Sequence, residues 1–365
     1  MDDVLDKIVN RPKLVSLKIE TIKSVNNPNS VHGIYPYRGK ISAIDARSVI
    51  QQLHKGTLLD PFCGTGTIIY EACLSGFNTI GIDSNPLANW IAKGKMSSLK
   101  CDRDLTIAKV EKLIKGARLK IDDTKKITPL LEKSFHEETL KEIKSLLKSF
   151  KKMDEYVQAC FLGAIALTAR GCNQYKWTSS SVGKDIQPKQ YIDFYSKFLQ
   201  KTKKHLYSNY SNGEHVIHHH DSRNLSDVVA PDSIDFVFTS PPYFDALDYT
   251  AYYGQIVYEL FEMERVKIKK DLIQNSKTYE EDMRKVLDEI VKVTKKDALI
   301  IFVVGDKKMK NEVINGGEFF SKLLKHKPNR IIERQYTGSS SQIFDKLNKT
   351  ERKEQIVIWD KSTWK

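Results

Sequence analysis

The stretch "TLLDPFCGTGTIIYEACLSGFNTIGIDSNP", Thr57 to Pro86, constrains the fold more than any other part of the chain. A short apolar run of strand type meets a turn with glycines at 64 and 66. A helical run follows and stops at Gly76, and a second strand-like run ends in Asp83. Asn85 stands at the N-cap position of the next helix, with Pro86 at its first position. Strands alternating with helices in this way predict an α/β architecture on a largely parallel sheet. The alternation resumes further on. "EHVIHHHDS", "SIDFVFTS", "ALIIFVVGD", "NRIIERQY" and "EQIVIWDK" read as strands, and "YYGQIVYELFEM", "YEEDMRKVLDEIVKVTK" and "GEFFSKLLKH" as helices.

Between these two series lies an interruption of about 110 residues. "LTIAKVEKLIKGARLKI", "EETLKEIKSLLKSF" and "EYVQACFLGAIALTAR" give it helical spacing. Three regions are therefore expected. Residues 1–100 hold an N-terminal segment and the first half of a cofactor-binding domain, residues 101–212 a mostly helical basic insert, and residues 213–365 the second half. Residues 101–212 carry 22 Lys and Arg against 13 Asp and Glu, and the chain as a whole has a formal charge of +13. That excess suggests a polyanionic partner. The five cysteines, at 63, 73, 101, 160 and 172, form no CxxC pair, so neither a zinc site nor a disulfide framework is expected. They suit a reducing cytosol. No apolar run approaches the length of a membrane span, and the first residues look unlike an export signal.

Glycine at 64 and 66 lets the backbone turn sharply and approach a ligand, and the helix that follows offers free amides. The third glycine of the dinucleotide fingerprint is missing, as is the G-K-[ST] of a phosphate loop. Asp83 closes the second strand, where folds of this type accept hydrogen bonds from ribose hydroxyls; capping of the next helix through "DSNP" is the alternative. Asp221 ends a third strand, where a carboxylate can accept from an adenine amine. Beside it, the three histidines of "HHH" alternate between faces and do not read as a metal site.

"DFVFTSPPYFDALDY" raises a separate question, because a core strand stops on Ser240, Pro241, Pro242 and Tyr243. Two prolines fix φ and donate nothing, which leaves the carbonyls before them available. A hydroxyl and a flat ring complete a set suited to gripping an exocyclic amino group. Drawing both its hydrogens out of the base plane frees the nitrogen lone pair for attack. The competing reading is a proline turn with Tyr243 in the core.

Taken together, these stretches resemble the amino-group DNA methyltransferases that modify cytosine N4 or adenine N6. "VHGIYPYRGKISAIDARSVIQQL", the glycine-turn segment, "IDFVFTSPPYFDALDY" and the last strands carry the likeness, over about half the chain. The resemblance implies a Rossmann-like methyltransferase sheet, mostly parallel with a C-terminal antiparallel strand, carrying a helical insert. It implies S-adenosylmethionine as cofactor, with Phe62, Gly64 and Gly66 around its methionine part, Asp83 at the ribose, and Asp60, Thr67 and Asn85 also at the cofactor. Asp221 falls at the adenine, and Tyr35 and Tyr37 close over from the N-terminal side. Ser240, Pro241, Pro242 and Tyr243 fall at the target base, and Ser240 leans toward cytosine N4, since aspartate is usual for adenine N6. None of the cysteines follows a proline, as the nucleophile of C5-cytosine enzymes does.

A duplex substrate requires base flipping. Arg170, Tyr175, Lys176, Trp177 and Lys184 in the insert, with Lys349 and Arg352 near the C-terminus, are candidates for DNA contact, although the aromatics also suit packing on the insert's own helices. The partners expected are double-stranded DNA and a cognate restriction nuclease, in the cytoplasm. An RNA guanine-amino methyltransferase and an inactive nucleic-acid-binding relative are the other readings.

Overall fold

The computed structural model describes residues 30–37, 41–119, 127–169, 190–206, 211, 213–242, 248–251, 253–309, 312–335 and 353–364. In chain order, helix α1 (Ala43–Ile50) leads into strand β1 (Thr57–Asp60), α2 (Thr67–Leu74), β2 (Asn78–Asp83) and α3 (Pro86–Ser97). Five helices follow: α4 (Arg103–Arg118), α5 (Pro129–Ser134), α6 (Glu137–Leu147), α7 (Glu155–Thr168) and α8 (Phe194–His205). The sheet resumes with β3 (His215–His219) and β4 (Ile234–Thr239). Helices α9 (Tyr253–Leu260), α10 (Arg265–Asp271) and α11 (Tyr279–Val293) then lead to β5 (Thr294–Gly305). A small hairpin, β6 (Lys307–Met309) with β7 (Glu312–Ile314), precedes α12 (Gly316–Ser321), β8 (Arg330–Gln335) and β9 (Lys353–Asp360).

Seven strands make one sheet in the order β3-β2-β1-β4-β5-β9-β8. β1 pairs in parallel with both β2 and β4, β2 with β3, and β4 with β5. Only β9 is reversed in this sheet, antiparallel to β5 on one side and β8 on the other. This is the mostly parallel sheet with one reversed C-terminal strand that the sequence suggests. From β1 the chain steps outward through β2 to β3, and from β4 it steps the opposite way to β5. The carboxyl ends of β1 and β4 therefore flank a switch point, where open α/β sheets leave a crevice.

Helices on both faces explain why β4 reads as a continuous apolar run rather than an alternating one. Phe236 and Phe238 point into a core shared with α2, α3 and the central helices. Ile234 and Val237 point the other way, into a core with α11 and β5. All four are 1% exposed or less, and burying each such side chain stabilises by about 1.5–3 kcal/mol. At the amino end Asp235 ties three strands, accepting from the Thr57 amide at 2.8 Å and from Lys295 Nζ at 2.7 Å.

The described helices of residues 101–212 lie directly on the sheet's helix layer. Val110, Ile143, Phe161 and Phe198 belong to the same core as Leu58 of β1 and Ile91 of α3. The α3 and α7 backbones nearly touch, since a Cβ added at Gly94 would stand 2.3 Å from Ala159 Cβ. The sequence reading passed over α5 and α8. In α8, Phe194, Tyr195, Phe198, Thr202 and His205 are buried at helical spacing, but polar and charged residues surround that face in the sequence. Among the described residues no helix is long and apolar enough to cross a membrane.

Candidate active site

The crevice between β1 and β4 is a cleft partly open to solvent, with about 810 Å³ of empty space that includes that open solvent. One wall comes from the turns after β1 and β2. Gly64 and Gly66 adopt φ of +51° and +73°, a region that other residues enter at a cost of about 1–2 kcal/mol. A Cβ at Gly66 would press on Ala92 of α3 at 3.2 Å, whereas one at Gly64 meets no atom within 4 Å. Gly64 lines the cleft, so the first glycine keeps ligand space open and the second lets α2 begin against α3.

Two carboxylates face this cleft, Asp60 from β1 and Asp83 from β2. Asp83 accepts the Gly64 amide on Oδ2 and the Asn85 amide on Oδ1, both at 2.8 Å. The helix cap falls to Asn85, whose Oδ1 accepts from the Leu87 amide at 3.0 Å. Asp83 is thus a buttress of the glycine turn that also fronts the cleft. Asp60 accepts from Thr239 Oγ1 at 2.6 Å and from the Phe62 amide at 3.1 Å, so β4 holds the carboxylate of β1. Burial pushes the Asp60 carboxyl up to about 7, opposed by its hydrogen bonds from Thr239 and Phe62 and reinforced by nearby Asp83. Burial likewise raises Asp83 to about 6, against its two amide bonds. Ionising Asp60 costs on the order of 4 kcal/mol more than in water. Among the described residues no Lys, Arg or His lines the cleft, so a cationic ligand seated there would relieve this cost.

The opposite wall is the end of β4. Ser240 and Pro242 line the cleft, while Pro241 is buried behind them. The Pro242 carbonyl accepts from Tyr279 Oη of α11 at 2.5 Å, which fixes the edge after the second proline. Tyr37 and Tyr249 also line the cleft, bridged by Asn85 Nδ2, which donates to Tyr37 Oη at 3.3 Å and to the Tyr249 carbonyl at 3.5 Å. Tyr258 Oη donates to Asn85 Oδ1 at 2.7 Å. Leu272 and Ile273, following α10, supply apolar surface.

Of the residues expected at the cofactor, Tyr37, Asp60, Phe62, Gly64, Thr67, Asp83 and Asn85 are brought together here. Gly66 shapes the turn behind them, and Tyr35 sits in the core. Asp221 is not on the cleft wall. It caps the short 3-10 turn Ser222–Asp227 and chelates Arg223, at 2.6 Å to its Nη2, and Arg223 also binds Asp282 at 2.9 Å. Its neighbour Ser222 does line the cleft, with its hydroxyl donating to the Pro61 carbonyl. Tyr243, Arg170, Tyr175, Lys176, Trp177, Lys184, Lys349 and Arg352 lie outside the described residues.

A sheet of mostly parallel strands with one reversed strand thus carries a glycine turn and paired acids at its switch point, an arrangement that can receive a small ligand. Residues 234–365 match the DNA methylase family of the N6/N4 type, so the resemblance to amino-group DNA methyltransferases is borne out over that segment. A further 28% identity over 138 residues links the chain to the Type II methyltransferase M.MjaII of Methanocaldococcus jannaschii. That alignment spans 37% of this chain and 24% of the relative's own length. Among solved structures, the rRNA methyltransferase aviRa from Streptomyces viridochromogenes aligns over 94% of this chain and 97% of its own, at 12% identity and a TM-score of 0.38. The family match implies S-adenosylmethionine as methyl donor. The cleft's own chemistry agrees: two carboxylates suit a sulfonium and an ammonium, and Phe62 and Ile68 offer apolar surface.

Proposed function

We propose that this chain transfers a methyl group from S-adenosylmethionine to the exocyclic amino group of a base flipped out of double-stranded DNA, with cytosine N4 as the acceptor. The observation that carries this reading is the cleft itself. A wall carrying two carboxylates, with no basic side chain among its described residues, faces a Ser-Pro-Pro edge across the cleft. An acidic wall repels phosphates and favours a cationic donor. When bound, the donor supplies an electrophilic methyl on a positively charged sulfur.

The chain's own groups do the rest. Asp83 and Asn85 hold the ribose side, and Gly64 leaves room for the methionyl end. Ser240 Oγ and the carbonyls preceding the prolines accept the two amino hydrogens, drawing the nitrogen toward a tetrahedral geometry with its lone pair aimed at the methyl. Tyr243 stacks on the base. Ser240 supports cytosine over adenine, because a neutral hydroxyl replaces the aspartate usual at adenine sites. Residues 101–212, with Arg170, Tyr175, Lys176, Trp177 and Lys184, read the DNA, helped by Lys349 and Arg352. The protein acts in the cytoplasm, alongside a cognate restriction nuclease. Adenine N6 is the competing outcome of the same assay.

The test is incubation with labelled S-adenosylmethionine and duplex DNA, followed by nucleoside mass spectrometry, with tRNA in parallel. N4-methylcytosine in DNA is expected. N6-methyladenine would overturn the choice of base, and label in tRNA alone would overturn the DNA substrate. Tyr243→Ala should abolish transfer while leaving donor binding intact; full activity would remove the ring from the mechanism.

A further inference from the structure

Behind the glycine turn lies a buried polar chain that the reaction above does not use. Glu71 of α2 is 1% exposed, and its carboxylate is held by Arg47 Nε of α1 at 2.8 Å and by His32 Nε2 at 2.7 Å. The other ring nitrogen of His32, Nδ1, lies 3.5 Å from Lys95 Nζ of α3. Lys95 is also 1% exposed. An ammonium only donates, so Nδ1 accepts and Nε2–H donates to Glu71, which fixes the tautomer.

Lys95 Nζ also reaches Thr65 Oγ1 at 3.3 Å and Thr67 Oγ1 at 3.5 Å. Both threonines line the cleft. Each oxygen that accepts from the ammonium keeps its own hydrogen to donate elsewhere. The same spot is the start of α2. There the Thr67, Ile68 and Ile69 amides have no intrahelical acceptor, and the N-cap, Gly66, has no side chain to satisfy them. Hydroxyl donors, free amides and a cation behind them converge on one end of a cleft whose charged lining groups, among the described residues, are the carboxylates of Asp60 and Asp83.

We propose that Lys95 is a positioning residue for a carboxylate seat: through Thr65 and Thr67 it directs donors at the carboxylate of the donor's methionyl end and so fixes which way round the zwitterion lies. This rests on the reading of the cleft as an S-adenosylmethionine site. The cleft then carries a charge gradient, positive at the α2 end and negative at Asp60 and Asp83, matched to a ligand with one anionic and two cationic groups.

Calorimetric binding of S-adenosylmethionine and of its decarboxylated analogue to the full chain and to Lys95→Met tests this. The unaltered protein should prefer the intact ligand at least tenfold. In Lys95→Met the intact ligand should weaken by 10- to 100-fold and the analogue by less than twofold. Equal weakening of both ligands, or none, would overturn the proposal, as would the absence of a preference in the unaltered protein. Should Lys95→Met fail to fold by circular dichroism, the Thr65→Val, Thr67→Val double variant should show the same selective loss, and an unselective loss there overturns the proposal equally. Failure of the unaltered chain to bind either ligand would instead remove the S-adenosylmethionine reading on which the proposal stands.

Discussion

The two walls of the cleft are built by different means. The wall after β1 and β2 is local: Asp83 takes amides 19 residues back and two residues ahead, and both glycines sit within the same turn. The wall at the end of β4 is assembled from a distance. Tyr279 reaches Pro242 across 37 residues, and Tyr37 reaches Asn85 across 48. Asp60 links the two, since Thr239 of β4 lies 179 residues away in sequence. A wall made from one turn can be rigid on its own. A wall made from distant pieces is correct only when the whole fold is, so the β4 side is the more sensitive to remote change.

That contrast can be broken at three places, in decreasing order of effect. Gly64→Val puts a side chain into the space that the local wall keeps clear. Donor affinity should fall more than 100-fold by calorimetry, while the positive φ lowers stability by only about 1–2 kcal/mol. Retained affinity would show that the ligand does not pass Gly64.

The second handle is pH. Asp60 and Asp83 titrate near 7 and 6 in the folded protein, above their values in an unfolded chain. Between about pH 4 and pH 7 the native state therefore holds more protons, and the free protein should lose stability as pH rises through that window. A cationic donor favours the ionised carboxylates. Its binding should release protons and strengthen roughly tenfold from pH 5.5 to 7.5, and Asp60→Asn should flatten the profile. A binding curve that weakens with rising pH would mean the cation does not sit by these acids.

The smallest effect is expected at the assembled wall. Tyr279→Phe removes the hydrogen bond to the Pro242 carbonyl, worth about 0.5–1.5 kcal/mol net. Turnover should drop about fivefold, with donor affinity within twofold. An equal fall in both would place Tyr279 on the donor side.

The same division decides what could be read from the sequence. The local wall was legible because its signal is contiguous: strand, two glycines, helix, strand, acid. The strands of the sheet were legible too, since burial on both faces leaves unbroken apolar runs such as Phe236–Phe238. Tyr249, Tyr279, Leu272 and Ile273 were missed because nothing near them in the chain marks them; only the return of α10 and α11 to the end of β4 gives them a role. Asp221 stands two residues past the end of β3 rather than in it, and two residues on stands Arg223, which claims the carboxylate. Lys95 reads as one more lysine on an amphipathic helix until α1, α2 and the 3-10 turn Ser30–Gly33 close around it.

The near-contact of Gly94 with Ala159 carries a consequence for engineering. The helix whose N-cap, Asn85, lines the cleft and a helix of the central layer are moulded against each other, backbone to backbone. Grafting another relative's 101–212 region, to test its proposed part in sequence preference, would replace half of that joint. Such chimaeras should work only where the exchanged piece brings its own matching α3, which makes the transplantable cassette larger than the layer it is meant to exchange.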